Sequence, residues 1–344
     1  MRVLLVDWLG RGGIAQTSMS WRRALRAAGA VCTVVTRPGR ELAADVAPRT
    51  TPAVPGASRL IAHQRVAQAA AQAVRSLRPD LVVVQNYVVP ALEWPVYRAA
   101  HDTGAGVVTV VHDHRLHSRV AGAQGGLRRE LRASDRVLAH SAYVADRLDA
   151  RAPAAVIPHP VAHDMLETPG EALWAKGDAP LAVHFGVLKR GYKGTPLILR
   201  LAATTDTLPW HFGVMGVGAP PARPRVRSSS GYVPTGALVA TVGAADAVVL
   251  PYRFATQSGA VVLAQALGVA CVVSGVGGIV EQVQHGVTGL LVPAGDALAP
   301  WAGALADLHG DQAGRRQIGA AARRTAYARD REFAAAVSAL VTGR

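Results

Sequence analysis

Residues 245–292 read ADAVVLPYRFATQSGAVVLAQALGVACVVSGVGGIVEQVQHGVTGLLV, and this stretch decides the fold class. The apolar run Ala247–Leu250 predicts a strand buried on both faces of a parallel sheet, and Pro251 ends it. A polar loop follows, in which Ser258 is placed to cap a helix over residues 259–267, before a stop at Gly268. Residues 269–273 form a second apolar run. This order of strand, loop, helix and strand predicts an α/β protein.

The start of that helix is a candidate anion site. The amides of Ser258, Gly259 and Ala260 are expected to be free, because the first amides of a helix have no acceptor within it. They would lie at the carboxyl end of a parallel strand, where phosphate groups commonly bind. Gln257 and Gln265 would stand about 12 Å apart at the helical rise per residue. That spacing is similar to the distance from a sugar to a ribose across a diphosphate.

Composition narrows the class of protein. The 344 residues are enough for two domains, and half of them are apolar, which indicates an ordered globular chain. A net charge of +14 favours acidic partners such as nucleotide diphosphates or anionic lipid surfaces. Nucleic acid is disfavoured, because the basic residues are scattered and only 5% of the chain is aromatic.

The cysteine content and the apolar segments indicate the setting. Cys32 and Cys271 each lie in a separate apolar strand, so we expect two buried free thiols and a reducing, cytoplasmic environment. The amino terminus does not resemble a signal peptide. No uncharged apolar segment reaches the roughly 18 residues that a membrane helix needs, so we expect at most peripheral contact with a membrane.

The first loop of the chain is rich in glycine. A strand over residues 3–6 leads into Gly10, Gly12 and Gly13, and a helix is predicted from about residue 14 to residue 28. Gly10, Gly12 and Ala15 satisfy the dinucleotide fingerprint of two glycines followed by a small residue. The acid expected after the second strand is absent, and Arg37 near its place would suit a 2'-phosphate. An NADP-dependent oxidoreductase therefore stays open at this point.

A polar cluster follows the strand predicted over residues 107–111. It comprises His112, Asp113, His114, Arg115 and His117. The spacing of its histidines, without a second ligand cluster elsewhere, does not fit a closed metal site. We therefore predict no metal site at this cluster. No resident cofactor is predicted either.

The segment ATQSGAVVLAQALGVACVVSGVGGIVEQVQHGVTGLLVPAGD, residues 255–296, resembles the donor-binding core of glycosyltransferase family 4. Members usually carry two glutamates separated by seven residues, and this chain has Gln257 and Gln265 there. It keeps the Gly-Gly-x-x-Glu segment that ends in Glu281, and the Gly-x-Thr-Gly-Leu-Leu-Val close at Val292. The resemblance implies the GT-B fold: two Rossmann-like domains with parallel sheets that face an interdomain cleft.

The same resemblance implies an activity. It is the metal-independent transfer of a sugar, with retention, from a UDP- or GDP-sugar to an acceptor hydroxyl. The acceptor class stays open between a small molecule, a lipid-linked substrate and a glycan, and the oligomeric state is not predicted. Because an amide offers a different set of donors and acceptors from a carboxylate, Gln257 and Gln265 also leave open a non-catalytic nucleotide-sugar-binding protein.

The resemblance assigns roles to residues of the loop over residues 186–194. Lys193 and Gly194 match the family's Lys-Gly ending, whose lysine clamps the donor diphosphate. Val187 stands where many members have arginine. A second charge must then come from Lys189 or Arg190, and we predict Arg190.

The remaining roles follow from the same comparison. His112 is expected to bind a sugar hydroxyl or orient the acceptor, and Gly12 and Gly13 to let the backbone approach the donor. Gln265 would hold the ribose, while Gln257 and Glu281 would hold the sugar or neighbouring backbone.

The predicted domains are residues 1–165 for the acceptor and 166–325 for the donor. A helix over residues 326–344 is expected to cross back to the first domain. Residues 38–58, rich in proline and alanine, are predicted to form a loop.

Overall fold

The computed structural model describes residues 1–37, 42–46, 58–85, 89–114, 123–175, 177–204 and 209–343. It divides into two compact units: unit 1 holds residues 1–159 and 331–344, and unit 2 holds residues 160–330. The sequence prediction placed these boundaries at residues 165 and 325. Most of the predicted loop over residues 38–58 lies outside the described residues, as do Arg115 and His117.

Unit 1 is built on a six-stranded parallel sheet with the order β2-β1-β3-β4-β5-β6. Leu4 pairs with Thr33 on one side and with Val82 on the other. The central strands are buried along their length, as their unbroken apolar sequences predict. The strands are β1 (Arg2–Asp7), β2 (Val31–Thr36), β3 (Leu81–Gln85), β4 (Gly106–Val111), β5 (Arg136–Ala139) and β6 (Ala154–Val156).

Helices cover this sheet, and two apolar clusters form on it, one around Trp21 and one around Tyr97. The helices are α1 (Gly12–Ala27), α2 (Ser58–Leu77), α3 (Pro90–Thr103), α4 (Ala123–Arg132) and α5 (Ala142–Ala145). Helix α5 is a single turn that ends at Ala145. Beyond it, the carboxylate of Asp149 accepts the amide of Arg151 at 3.1 Å, which forms a local turn in place of a further helical turn.

Unit 2 repeats the plan with the strand order β12-β11-β10-β7-β8-β9, and all of its strand pairs are parallel. The strands are β7 (Leu181–Phe185), β8 (His211–Gly216), β9 (Val226–Ser230), β10 (Ala247–Leu250), β11 (Cys271–Ser274) and β12 (Leu290–Val292). The helices are α6 (His163–Leu166), α7 (Thr195–Ala203), α8 (Thr235–Ala244), α9 (Gly259–Ala266), α10 (Ile279–Gln282), α11 (Ala299–Gly310) and α12 (Gln312–Thr342). The predicted α/β class with parallel sheets is confirmed.

Strand β9 has no counterpart in the sequence prediction, and two arginines lie at its start. Arg225 directs its guanidinium group at the backbone carbonyls of Thr204 and Trp210, at 2.9 and 2.8 Å. Arg227, within the strand, donates to the carbonyl of Ala175 at 2.6 Å. These arginines therefore satisfy backbone carbonyls that flank α7 and β8 or lie in the loop before β7, which a local charge pattern does not reveal.

Helix α12 contributes to the cores of both units. Ala326 packs with Val262 in unit 2, whereas Phe333 and Val337 belong to the cluster around Trp21 in unit 1. The rings of Trp21 and Phe333 meet edge to face at 5.4 Å. Within the described ranges, no helix combines the length and apolar character needed to cross a bilayer.

Both cysteines are free and buried, as predicted. Burial raises the pKa of the Cys32 thiol to about 11 and that of the Cys271 thiol to about 12. Neither thiol is therefore ionised near neutral pH.

A buried histidine makes the stability of unit 2 depend on pH. His184, in β7, contacts the carbonyl of Val249 through Nδ1 at 3.0 Å and the Thr195 hydroxyl through Nε2 at 3.1 Å. Burial lowers its pKa from 6.5 to about 4. The unfolded chain therefore takes up the proton that charges the His184 ring at a higher pH than the folded chain does. As a result, the free energy of unfolding decreases as the pH falls from about 6.5 towards 4.

We expect the loss at pH 5 to be about 2 kcal/mol from this residue. In the His184→Gln variant, the decrease in stability between pH 7.5 and pH 5 should be smaller by that amount. Denaturant unfolding at the two pH values measures it, and His309→Gln, at an exposed position of α11, is the control. An equal pH dependence in the two variants would contradict the assignment.

Candidate functional site

The connections in unit 2 change direction between its two central strands. From β7 the chain continues to β8 and β9 on one side, and from β10 to β11 and β12 on the other. In open parallel sheets, ligands bind beyond the carboxyl ends of the strands at such a switch point. Two loops lie there, residues 186–194 after β7 and residues 251–258 after β10.

Glycine allows these two loops to come into contact. Gly194 has a φ of +72°, and a Cβ atom at this position would lie 1.9 Å from the carbonyl oxygen of Pro251. Gly216, at the end of β8, approaches Gly186 as closely, since a Cβ there would lie 2.0 Å from the Gly186 carbonyl oxygen. No other residue type fits at Gly194 without displacing backbone.

This contact positions Lys193 above the strand ends. Its ammonium nitrogen lies 3.9 Å from the ring centroid of Tyr252 and 5.3 Å from that of Tyr192. Tyr252 is 1% exposed, so the face of its ring is a fixed support for the charge. Lys193 itself is half-buried, and its amine carries a positive charge at the switch point.

Arg190 and Lys189 precede this lysine in the same loop, and both are exposed. The backbone of Lys189 is held by a 3.1 Å hydrogen bond from its amide to the carbonyl of Val217. The assignment of the second cation to Arg190 stays a prediction.

Helix α9 begins after the loop that follows strand β10. The Ser258 hydroxyl accepts the amide of Val261 at 3.3 Å, so Ser258 is the predicted N-cap. The amide of Ser258 is not free, contrary to prediction, because it donates to Oε1 of Gln282 at 2.8 Å. Gly259, which is exposed, and Ala260 lie in the first helical turn, where amides have no acceptor within the helix.

The two glutamines at the glutamate positions have different surroundings. Gln265 is buried and donates through Nε2 to the carbonyl of Gln282 at 2.8 Å, so this amide group joins α9 to α10. Gln257 is half-buried, and its Oε1 is buried without a hydrogen-bond partner among the described residues. The side chain of Glu281 is exposed, and its backbone carbonyl accepts Arg329 at 2.7 Å.

Gln282 is a site residue that the sequence analysis missed. Its side chain accepts the Ser258 amide, and its carbonyl accepts Gln265 and also Arg329, the latter at 2.9 Å. Nothing in the local pattern distinguishes it from an ordinary polar residue of a short helix. Its role depends on contacts between elements that are far apart in the chain.

In unit 1, the switch point lies between β1 and β3, and the glycine loop follows β1. Asp7, also missed from sequence, organises this loop: its buried carboxylate accepts the amides of Leu9 and Gly10 at 2.7 and 2.8 Å, and the Ser18 hydroxyl at 2.7 Å. A Cβ atom added to Gly12 or Gly13 would meet no atom within 4 Å. The backbone at these two glycines is therefore accessible from that side.

His112 directly follows β4. Its Nε2 donates to the amide oxygen of Gln85 at 2.8 Å, and its ring lies 5.4 Å from that of His140. The ring of His140 in turn lies 5.1 Å from that of His159. Burial, followed by the proximity of His159, lowers the pKa of His112 to about 4, so the ring is neutral near pH 7. Within the part of the chain that the structure describes, no three His, Cys, Asp or Glu side chains are grouped to hold a metal ion.

Similar solved structures extend over the whole chain. One is HepE from Anabaena in complex with UDP-glucose, with 15% identity, 100% of each chain covered and a TM-score of 0.75. A sucrose-phosphate synthase from Thermosynechococcus elongatus has 18% identity and a TM-score of 0.77, covering 100% of this chain and 98% of that one. A glycosyltransferase from Rickettsia africae has 14% identity and a TM-score of 0.71, covering 99% and 98%. At these identities the likeness shows the fold, which is GT-B.

Comparison with curated protein sequences finds no match. Two family models do match, one in the first half of the chain and one in the second. Residues 11–164 match the model described as Glycosyltransferase Family 4, and residues 179–311 match the model described as Glycosyl transferases group 1. Neither model describes a dinucleotide-dependent oxidoreductase. With both halves matched to glycosyltransferases and the GT-B fold shared along its length, the chain is a glycosyltransferase of the family 4 type.

Proposed function

We propose that this protein transfers a sugar, with retention and without a metal ion, from a UDP- or GDP-sugar to an acceptor hydroxyl. The observation that carries the proposal is Lys193, held over the ring of Tyr252, which lies in the loop that leads into α9. The complex of HepE with UDP-glucose supports a nucleotide sugar as the donor. The reducing, cytoplasmic setting belongs to the same proposal.

The proposed chemistry depends on stabilising the leaving group. When the glycosidic bond to the diphosphate breaks, negative charge accumulates on the phosphate oxygens. Lys193, the amides of Gly259 and Ala260, and the positive end of the α9 dipole would stabilise that charge, and Arg190 would add a second cation. Such a set of donors makes a metal ion unnecessary in this proposal.

His112 would act as a neutral hydrogen-bonding group. Its Nε2 proton is already donated to Gln85, and its pKa of about 4 excludes a charged imidazolium at neutral pH. In the proposal it contacts a hydroxyl of the sugar or of the acceptor. The accessible backbone at Gly12 and Gly13 would approach the donor.

Gln257 and Gln265 would recognise hydroxyl groups through amide oxygens. Gln265 commits its nitrogen to Gln282, which leaves Oε1 to accept a ribose hydroxyl. Gln257 has a buried Oε1 without a partner among the described residues, and a sugar hydroxyl would satisfy it. Glu281 would contact the sugar or the neighbouring backbone.

The same two glutamines support a second candidate, a protein that binds a nucleotide sugar without turnover. An amide cannot take the negative charge of the glutamate that most members have at each position. Donor consumption with any acceptor would exclude this candidate.

The first experiment identifies the donor base. Melting temperature is measured with UDP, GDP, dTDP, ADP and NADP, each with and without a chelator. A ligand that binds only the folded state raises the melting temperature by mass action, so we expect a rise with one nucleoside diphosphate that the chelator does not remove. A rise with NADP alone would overturn the proposal, and a rise that the chelator abolishes would overturn its metal independence.

The second prediction concerns the cation at the switch point. Lys193→Ala should lower kcat about a hundredfold or more. The loss of a single hydrogen-bond donor to the negative charge that develops in the transition state has an effect of this size in other enzymes. Arg316→Ala, at an exposed position of α12, removes the same charge far along the chain and serves as the control. Equal activity of the two variants would show that Lys193 does not bind the diphosphate.

The third prediction separates the two glutamines. Gln265→Glu places a carboxylate against the carbonyl of Gln282, so two acceptors face each other in a buried position. We expect a loss of about 2–3 kcal/mol in the free energy of unfolding, partly recovered when the carboxyl group is protonated at lower pH.

Gln257→Glu, where no such contact exists, is the matched variant and should cost less. Denaturant titrations at pH 8 and pH 6 measure both. A loss of the same size in the two variants would contradict the role assigned to Gln265.

A further inference from the structure

A pocket of about 300 Å³ lies in unit 1 between α4 and the turn that follows α5. This volume is at the lower end of the range for small-molecule sites, about 300–1,000 Å³. Four of its lining residues are arginines: Arg128, Arg132, Arg147 and Arg151. None of the residues discussed for the donor lies in it.

The wall of this arginine pocket is firmly anchored. Leu127 and Leu131 line it from α4 and are 1% and 2% exposed. Both belong to an apolar cluster with Val137 of β5 and Val144 of α5. The arginines therefore project from a packed support rather than from a free helix.

The charge of the pocket is strongly positive. Asp149 is the single carboxylate among its described lining residues, and it is already engaged by the amide of Arg151 and the guanidinium group of Arg132. These two groups, the amide first, hold the pKa of Asp149 below its ordinary value. Four guanidinium groups thus face one carboxylate that is occupied.

The arginines differ in how they are held. Arg147 lies over the ring of Tyr143 at 3.7 Å and donates to its carbonyl at 3.0 Å, so its orientation is set. The guanidinium groups of Arg128 and Arg151 make no hydrogen bond to a described residue, and both side chains are exposed at the pocket. These two groups are available to a ligand.

One end of the pocket lies next to the proposed reaction site. His114 lines it, and the side chain of Gln124, another lining residue, donates to the His114 carbonyl at 3.2 Å. His114 is two residues after His112, so their Cα atoms are at most about 7 Å apart. A ligand that fills the pocket therefore reaches the loop that carries the histidine.

We propose that this pocket binds a phosphate group of the sugar acceptor, whose hydroxyl is presented near His112. The inference rests on the proposed function, because it assigns the acceptor to the same loop. Guanidinium groups pair with phosphate oxygens through two parallel hydrogen bonds, and an anionic phosphate complements the excess of positive charge in the pocket. The phosphate belongs either to a soluble phosphate monoester or to a phospholipid headgroup.

The test compares two double variants that remove equal charge. Arg128→Gln with Arg151→Gln changes the available arginines of the pocket, and Arg316→Gln with Arg324→Gln changes exposed positions of α12. Both should melt within a few degrees of the wild type, since no hydrogen bond to a described residue is lost. Binding to glucose 1-phosphate is measured by calorimetry, with glucose as the uncharged comparison.

We expect the wild type and the α12 variant to bind glucose 1-phosphate. The pocket variant should bind it at least tenfold more weakly, because it loses hydrogen bonds between charged groups. Flotation with phosphatidylcholine vesicles, with and without phosphatidylglycerol, tests the other source. If the wild type and the α12 variant bind the anionic vesicles and the pocket variant does not, the phosphate that the pocket binds is that of a phospholipid headgroup. Retention of binding by the pocket variant, or no binding of either probe by the wild type, would overturn the proposal.

The result is independent of the donor site. Lys193→Ala should still bind the phosphate probe, whereas the pocket variant should keep its melting response to the nucleoside diphosphate. Loss of phosphate binding in Lys193→Ala alone would show that the probe occupies the donor site, and would overturn the pocket assignment. If no nucleoside diphosphate raises the melting temperature but the pocket still binds the phosphate probe, the proposed sugar transfer is contradicted and the pocket assignment is not.

Discussion

The two loops at the switch point of unit 2 depend on one steric constraint, the approach of Gly194 to the carbonyl oxygen of Pro251. A side chain at residue 194 would overlap that oxygen, so the loop after β7 can rest on the loop after β10 only with glycine there. The same contact brings Lys193 onto the ring of Tyr252. The position of a positive charge is thus set by the absence of a side chain one residue later.

Around this charge, unit 2 uses neutral groups in place of carboxylates. Gln265 and Gln282 form a buried set of amide contacts that joins α9 to α10 and fixes the loop before α9. Arg329 of α12 donates to the same carbonyl as Gln265. The geometry at the start of α9 is therefore maintained by two amide side chains and one arginine, beside the position proposed for the diphosphate.

The sequence predicted the elements whose signals are local. Continuous apolar runs such as Ala247–Leu250 indicate buried parallel strands, and Ser258 indicates the start of α9. Both the hydrophobic pattern of a strand and the capping of a helix depend only on residues that are close in the chain. Asp7, Gln282 and strand β9 were missed. Their partners are distant in the chain, or are backbone groups at the ends of other elements, so no neighbouring residue indicates them.

Helix α12 has a consequence for how the chain folds during synthesis. Trp21 is fully buried in unit 1, and the cluster that buries it includes Phe333 and Val337 from the far end of the chain. While residues 1–159 emerge from the ribosome, that part of the core has no covering residues. Unit 1 is thus begun before unit 2 and completed after it, and its apolar surface is available to chaperones until Phe333 and Val337 have been made.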